Sequence, residues 1–337
     1  MESNAPLGVF DIDFPTKLMA GQVLVRLIYS GVCASQLHEI DARKGVDLYL
    51  PHLLGHEAVG EVIECGPGVR TKSPGDVVIA HWRKGEGIEA GPSVLNSSIG
   101  PINAGPVTTF AEYSLISENR LTVLPKGISL ENAPLLGCSL TTGYGAVVKE
   151  ANVRPGESAV VIGFGGVGIA ILKALKLVSA FPIVVVDIVE EKLTLASKLG
   201  ADFVIHSTKN MDCISDELFQ ILPGGADVVF EVTGNQKEIE NAYTISNNSG
   251  RTILVGVPDA NKPANLSTLP LHLGKKLIGS HGGSIEPSID IPRIAKMVNA
   301  NRISLEDFPK TFFDLDQINK ALDLLRAGSP GRVLIKM

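Results

Sequence analysis

The stretch Ala159-Val160-Val161-Ile162-Gly163-Phe164-Gly165-Gly166-Val167-Gly168 decides the fold of this chain. Four apolar, mostly β-branched residues run straight into G-x-G-x-x-G. Ile169 to Ala180 then carries apolar residues at helical spacing, namely Ile171, Leu172, Leu175 and Val178. After Phe181-Pro182 a second apolar run, Ile183 to Val186, ends on Asp187. Strand, glycine turn, helix and strand in that order form the context in which a glycine pattern reads as a dinucleotide-binding element. Gly163 permits the tight turn, Gly165 lets backbone approach a pyrophosphate, and Gly168 lets the helix close on the strand. Gly166 and Val167 open the helix, whose free N–H groups and positive dipole end favour phosphate. Asp187, about twenty residues on, can accept from both ribose hydroxyls and would repel a 2′-phosphate, so NAD is expected rather than NADP.

The 337 residues are comfortable for two domains, and 45% hydrophobic with 20% charged residues is ordinary for a protein with a large core. A net charge of −6 argues against nucleic acid or an anionic membrane as the main partner. No apolar run is long enough to span a bilayer. The segment Met1 to Phe14 lacks both a basic n-region and an apolar h-region, so no signal peptide is read there. Four cysteines in a chain of this size make no disulfide framework. The expected compartment is the cytoplasm.

Ahead of the glycine turn, Gln22 to Ser30 alternates as a strand and leads into Gly31-Val32-Cys33-Ala34-Ser35-Gln36-Leu37-His38. Pro51 to Glu64 reads as a loop feeding a strand, and Val77 to Ala80 follows as another. Short strands punctuated by Gly and Pro predict a partly open, barrel-like β domain. Arg83 to Gly105, rich in Gly, Pro, Ser and Asn, shows no periodicity and is expected to be a long surface loop or lobe. Phe110 to Ile116 returns to strand and Asn132 to Val148 is helical. Strands at 159–162, 183–186, 203–205, 228–232, 252–257 and 277–280 then alternate with helices, which predicts a parallel, doubly wound sheet. Beyond Gly282-Gly283 the pattern changes to helices near 291–300 and 317–327 and a final strand, Arg332 to Lys336. This tail is expected to pack back on the first domain.

Cys33, His56 and Cys138 lie far apart in sequence, yet each sits in a glycine-bearing turn. Two thiolates and one imidazole suit a tetrahedral zinc with one position open, since the thiolates neutralise the ion while it remains a Lewis acid. Cys65 and Cys213 read as small buried hydrophobes.

Cys33-Ala34-Ser35-Gln36-Leu37-His38, Gly55-His56-Glu57-Ala58-Val59-Gly60 and Gly137-Cys138-Ser139-Leu140-Thr141-Thr142-Gly143-Tyr144-Gly145 resemble, in order, the catalytic-zinc segments of the zinc-dependent alcohol dehydrogenases. These belong to the medium-chain dehydrogenase/reductase superfamily, and their known ligand set is the one just read. The resemblance continues through Gly163 to Gly168, Asp187, Val255-Gly256-Val257-Pro258 and the tail from Leu325 to Ile335, nearly the whole chain.

The resemblance implies a GroES-like partly open β-barrel catalytic domain over 1–139 and 284–337, and a Rossmann cofactor domain over 140–283. It implies that Cys33, His56 and Cys138 ligate a single catalytic zinc, with Glu57 as an alternate ligand. Ser35 would take the proton from the alcohol and His38 pass it to solvent. Thr142 and the backbone of Val255 and Val257 would flank the nicotinamide, Lys192 would assist Asp187 at the ribose, and Arg332 would contact the pyrophosphate. Trp82 falls where the family places an aromatic wall of the substrate pocket. The cleft between the domains is the expected active site.

Three departures stand out. Arg83 to Gly105 contains no cysteine, so the family's second, structural zinc is absent. Ala34 stands where some members carry an Arg for the pyrophosphate. The family's first strand is shortened or missing before Leu7, which leaves an edge that something must cover. The expected function is a zinc-dependent, NAD-linked oxidoreductase interconverting a primary or secondary alcohol, or a polyol, with its aldehyde or ketone. Two alternatives are a zinc-free reductase of the same superfamily and a non-catalytic NAD-binding sensor or structural subunit. His81, Trp82 and His52 hint at a polar, sugar-like substrate. Family analogy implies a homodimer or homotetramer, with Leu277 to Ser280 as the candidate edge strand.

Overall fold

The computed structural model describes residues 5–207 and 212–337, with the side chains of 212–214, and hence Cys213, outside the described residues. The chain divides into two compact units. One holds the chain up to Ala42, Val46–Thr141 and Glu286–Met337; the other holds Arg43–Gly45 and Thr142–Ile285. Among the described residues no helix is long and apolar enough to cross a membrane.

In the second unit six strands pair in parallel. Their order is Phe203–His206, Ile183–Asp187, Ala159–Ile162, Ala226–Glu231, Ser246–Leu254 and Lys276–Gly279. Numbered along the chain this is 3-2-1-4-5-6, the doubly wound order, and it reverses direction beside Ala159–Ile162. Val160, Val184 and Val229 are fully buried, and so are their neighbours on the opposite face. That two-sided burial is why these strands read as unbroken β-branched runs rather than alternations. Helix Gly166–Leu177 follows the first strand at once and buries Ile169, Ile171, Leu172 and Leu175.

The first unit is built on a seven-stranded sheet containing Lys310–Asp314, Arg332–Lys336, Gln22–Val32, Ala58–Cys65, Val77–Ala80 and Leu121–Val123, with Tyr113–Ser117 also paired to Gln22–Val32. Its core packs Val23, Val25 and Leu27 against Val62, Val78 and Ile116. The tail joins this unit by two strands rather than one. Lys310–Asp314 runs parallel to Arg332–Lys336 with helix Ile318–Arg326 between them, and its half-exposed residues hid it from the pattern.

The segment 83–105 is not a plain loop. Ser93–Ser97 and Gly100–Ala104 form a hairpin, joined by the two-residue strand Ile12–Asp13 in a small separate sheet. Only Leu95, Ile102 and Ala104 of the hairpin are buried, too few to mark alternation among Gly, Pro and Asn. Cys65, read as a small buried hydrophobe, is partly buried and packs against the core of the first unit.

Candidate active site

Strand register assembles the ligand cluster of the first unit. Gln22–Val32 pairs with Ala58–Cys65, with Ser30 opposite Ala58, and with Arg332–Lys336, with Val32 opposite Val333. The residues one step beyond these pairs, Cys33, Glu57 and Arg332, therefore share one end of the sheet. Cys33 sits at the N-cap of helix Ala34–Ile40 in an extended conformation. Cys138 occupies the break between helices Ala133–Gly137 and Ser139–Gly145. The glycines beside these ligands have a packing reason. A Cβ at Gly31 would lie 2.8 Å from Glu57 Cδ, and one at Gly137 would lie 2.5 Å from the Ala80 carbonyl.

The ligand atoms of Cys33, His56, Glu57 and Cys138 all lie within 4.8 Å of one another. Donors at about 2.0–2.3 Å from a tetrahedral zinc are roughly 3.5 Å apart, so a small contraction suffices to hold the ion. Both cysteines are buried, His56 is partly buried, and Glu57 is fully buried. The Cys138 thiol beside it, against the opposing effect of burial and helped by His56 and Arg332, holds the Cys33 thiol well below its ordinary range. The thiolate is the form that binds metal. Glu57 is ion-paired with Arg332. Glu57 Oε2 and Arg332 Nε are buried without a hydrogen-bond partner, as expected beside a site that holds a ligand. The residues fit a zinc ion.

Ser35 and His38 lie three apart on helix Ala34–Ile40, so they share a face, and both are partly buried. The same helix is tied to the His56 loop, where the Gly55 N–H donates to Gln36 Oε1 at 2.6 Å. Trp82 is partly buried, its carbonyl accepts from Arg120, and the Arg83 guanidinium lies 5.6 Å from the centre of its ring. His81 does not line a pocket. It is 1% exposed, with Nδ1 on the Arg83 carbonyl at 2.7 Å and Nε2 on Thr122 Oγ1 at 2.9 Å. His52 is held by Asp47 and the Leu53 carbonyl.

The second unit, taken by itself, carries the residues read as dinucleotide-binding at the C-terminal ends of its parallel strands. Gly163 has φ +95°, and a Cβ at Gly168 would lie 2.3 Å from the Gly163 carbonyl. A Cβ at Gly165, by contrast, would meet nothing within 4 Å, so the backbone stands open to close approach. Helix Gly166–Leu177 has no side-chain cap, which leaves its first-turn N–H groups, including those of Gly166 and Val167, to a phosphate. Asp187 accepts from the Phe164 N–H at 2.6 Å and the Val189 N–H at 3.0 Å, with Lys192 Nζ at 3.9 Å. Two of a carboxylate's roughly four acceptor positions are thus used, and the others stay available to a ribose. Val255 and Val257 follow strand Ser246–Leu254, the Val255 N–H donating to the Glu231 carbonyl at 2.8 Å. Thr142 is buried in helix Ser139–Gly145. These residues fit a dinucleotide.

The Glu57–Arg332 pair was not read from the sequence, where neither spacing nor composition marks it. Nor was the grouping of Glu39, Asp47 and His52, whose ligand atoms also lie within 4.8 Å of one another.

Residues 19–126 match the family model for the alcohol dehydrogenase GroES-like domain, and residues 166–300 match that for zinc-binding dehydrogenases. S-(hydroxymethyl)glutathione dehydrogenase of Photobacterium damsela subsp. piscicida is 28% identical, covering 98% of this chain and 96% of its own. Among solved structures, an alcohol dehydrogenase zinc-binding domain protein from Burkholderia ambifaria superposes with a TM-score of 0.89 at 28% identity, covering 99% of this chain and 96% of that one. Benzyl alcohol dehydrogenase from Acinetobacter calcoaceticus does so with a TM-score of 0.83 at 28% identity, covering 97% and 94%.

Proposed function

The chain belongs to the zinc-type medium-chain alcohol dehydrogenase family, and from that premise we propose that it is an NAD-dependent enzyme interconverting a primary or secondary alcohol with its aldehyde or ketone. The observation that carries this proposal is the convergence of Cys33, His56, Glu57 and Cys138 from three separate segments. Cys33, His56 and Cys138 would hold one catalytic zinc, with Glu57 as an alternate ligand. When bound, the zinc supplies a Lewis acid for the substrate oxygen and the nicotinamide supplies the hydride acceptor.

The chain's own groups do the rest. The Ser35 hydroxyl accepts the alcohol proton and passes its own to His38, one helical turn on, where an imidazole can exchange with solvent. Gly163, Gly165 and Gly168 shape the turn that receives the pyrophosphate, and Gly166 and Val167 offer it their N–H groups. Asp187, with Lys192 beside it, holds the adenosine ribose. Thr142, Val255 and Val257 bracket the nicotinamide. Arg332, a fork of five donors with one edge on Glu57, keeps donors for the pyrophosphate. Trp82 supplies an apolar wall for the substrate.

The hint of a sugar-like substrate rested on His81, Trp82 and His52 with a polar lobe nearby; His81 and His52 are committed elsewhere, so the substrate class stays at alcohols and polyols in general. A homodimer or homotetramer, paired through the edge strand Lys276–Gly279, in the cytoplasm completes the proposal. The deciding experiment is elemental analysis of protein purified without added metal or chelator. About one zinc per chain, lost in Cys33→Ser together with NAD-dependent alcohol oxidation, is expected. Protein that binds NAD but carries no zinc would overturn the proposal.

A further inference from the structure

No cysteine lies between Arg83 and Gly105, so a four-cysteine zinc site cannot hold that lobe, and another device fixes its base. Four consecutive buried residues, Ser117 to Arg120, supply it. Ser117 Oγ accepts from the Ala90 N–H at 3.1 Å. Glu118 Oε2 accepts from the Ile88 N–H at 2.8 Å; its Oε1 takes the N–H groups of Arg70 and Thr71, both at 2.7 Å, and the Thr71 hydroxyl at 2.8 Å. The Asn119 N–H donates to the Ile88 carbonyl at 3.2 Å, and the Asn119 carbonyl accepts from the Gly85 N–H at 2.7 Å. The Arg120 guanidinium closes the row on the Trp82 carbonyl and on Glu89 Oε1, the latter at 2.7 Å.

Glu118 is the node of this row. A carboxylate offers about four acceptor positions, and four donors converge on this one. Gly87, at φ +113°, wraps it so closely that a Cβ there would lie 2.5 Å from Glu118 Cγ. Burial opposes the charge, but the N–H groups of Ile88, Arg70 and Thr71 outweigh it and hold the pKa down to about 2.

Strand register brings Arg120 to Trp82. Ala80 pairs with both Ala58 and Leu121, so the chain leaves strand Val77–Ala80 at the end of the sheet where Glu57 lies. The His81 N–H then donates to the Arg120 carbonyl at 3.0 Å, and the Arg120 side chain reaches the next residue. Because Arg120 grips the main chain of Trp82, it sets the point from which the indole projects. A guanidinium spans the Trp82 carbonyl and Glu89 together, which an ammonium on one stem does less well.

We propose that Arg120, braced by Glu118, is a positioning residue that fixes Trp82 as the substrate wall and so sets the size of alcohol accepted. This rests on the wall role proposed for Trp82 above. Without the fork the main chain relaxes, the indole shifts, and a bulky alcohol loses its apolar contact while a small one loses little.

Trp82 is the chain's one tryptophan, so its fluorescence reports the ring directly and needs no substrate. In zinc-loaded protein, Arg120→Met should move the emission maximum by several nanometres and raise acrylamide quenching at least twofold. Arg120→Lys should show a smaller change of the same kind, and carries the test should the methionine variant fail to fold. Arg251→Met, which breaks a pair with Glu157 in the second unit, should lower the thermal midpoint and leave the emission unmoved. With NAD, the kcat/KM ratio of benzyl alcohol to ethanol should fall at least fivefold in Arg120→Met, through KM rather than kcat. Three results would each overturn the proposal: emission and quenching in the Arg120 variants that match the parent, an equal shift in Arg251→Met, or a ratio that is unchanged or rises. A parent protein that oxidises no alcohol would instead overturn the enzymatic reading on which the wall depends, and the fluorescence tells that failure from a failure of the Arg120 anchor.

Discussion

The guanidinium of Arg332, the first residue of the last strand, is ion-paired with the fully buried carboxylate of Glu57, which directly precedes strand Ala58–Cys65. Burial lowers the Arg332 pKa and Cys33 opposes that effect, so the pair and the thiol share one electrostatic balance. Arg332→Met would leave Glu57 charged and without its partner, at a cost of about 3–5 kcal/mol. Glu57→Gln in the same background removes the stranded charge and should recover much of that loss. Urea unfolding of the two single variants and the double variant checks this; strictly additive costs would show that the pair is not coupled.

The metal cluster makes its own stability prediction. Removing a bound zinc leaves two buried thiols and an imidazole facing one another without the ion that reconciles them. Dialysis against a chelator should therefore lower the thermal midpoint by several degrees, and restoring zinc should return it. In Cys138→Ser the same dialysis should have no effect on the midpoint. A chelator effect as large in that variant as in the parent would place the stabilising metal elsewhere.

Much of this arrangement was legible in the sequence, for a physical reason. Parallel strands buried on both faces must be continuous apolar runs, and Gly163 and Gly168 occupy positions where φ or a close carbonyl bars a side chain. The cofactor half therefore appears in the order of residues. The ligand cluster was legible only because its three segments resemble those of a known family. The pairing of Glu57 with Arg332 was not legible, because it depends on the register of two antiparallel pairs, Ser30 with Ala58 and Val32 with Val333. The hairpin of residues 93–104 escaped for the opposite reason. It buries so few side chains that its alternation is lost among Gly, Pro and Asn.

Cofactor choice should turn on Asp187. Its carboxylate braces the glycine turn through the Phe164 N–H, and in the ribose role proposed for it the same charge would repel a 2′-phosphate. Asp187→Ser removes the repulsion and one turn brace together. The expected outcome is a rise of at least tenfold in KM for NAD and a shift of the NADP to NAD ratio of kcat/KM toward NADP. An unchanged ratio would remove Asp187 from the ribose site.

His81 should make the fold acid-sensitive in a defined window. Burial, with Arg120 and Lys72 nearby, pushes its pKa down to about 4 even though the Arg83 carbonyl favours the charged form. The neutral ring with hydrogen on Nδ1 satisfies both neighbours, donating to the Arg83 carbonyl and accepting from the Thr122 hydroxyl. A second proton would point at that hydroxyl from inside the core. The folded pKa lies below the ordinary value of 6.5, so the unfolded chain binds the extra proton first as the medium is acidified. Stability from this group is complete above pH ~6.5, falls as pH drops toward ~4, and levels off below that, a total on the order of 3 kcal/mol. Glu118, held down to about 2 against an ordinary value of 4.5, begins to lose its own contribution below pH ~5, so the slope between pH ~6.5 and ~5 is the part that reports His81. Urea midpoints at half-unit steps from pH 7.5 to 4 should show this slope in the parent protein, and it should flatten in His81→Gln, whose amide can still donate to Arg83. An identical slope in that variant would assign the acid sensitivity to other groups.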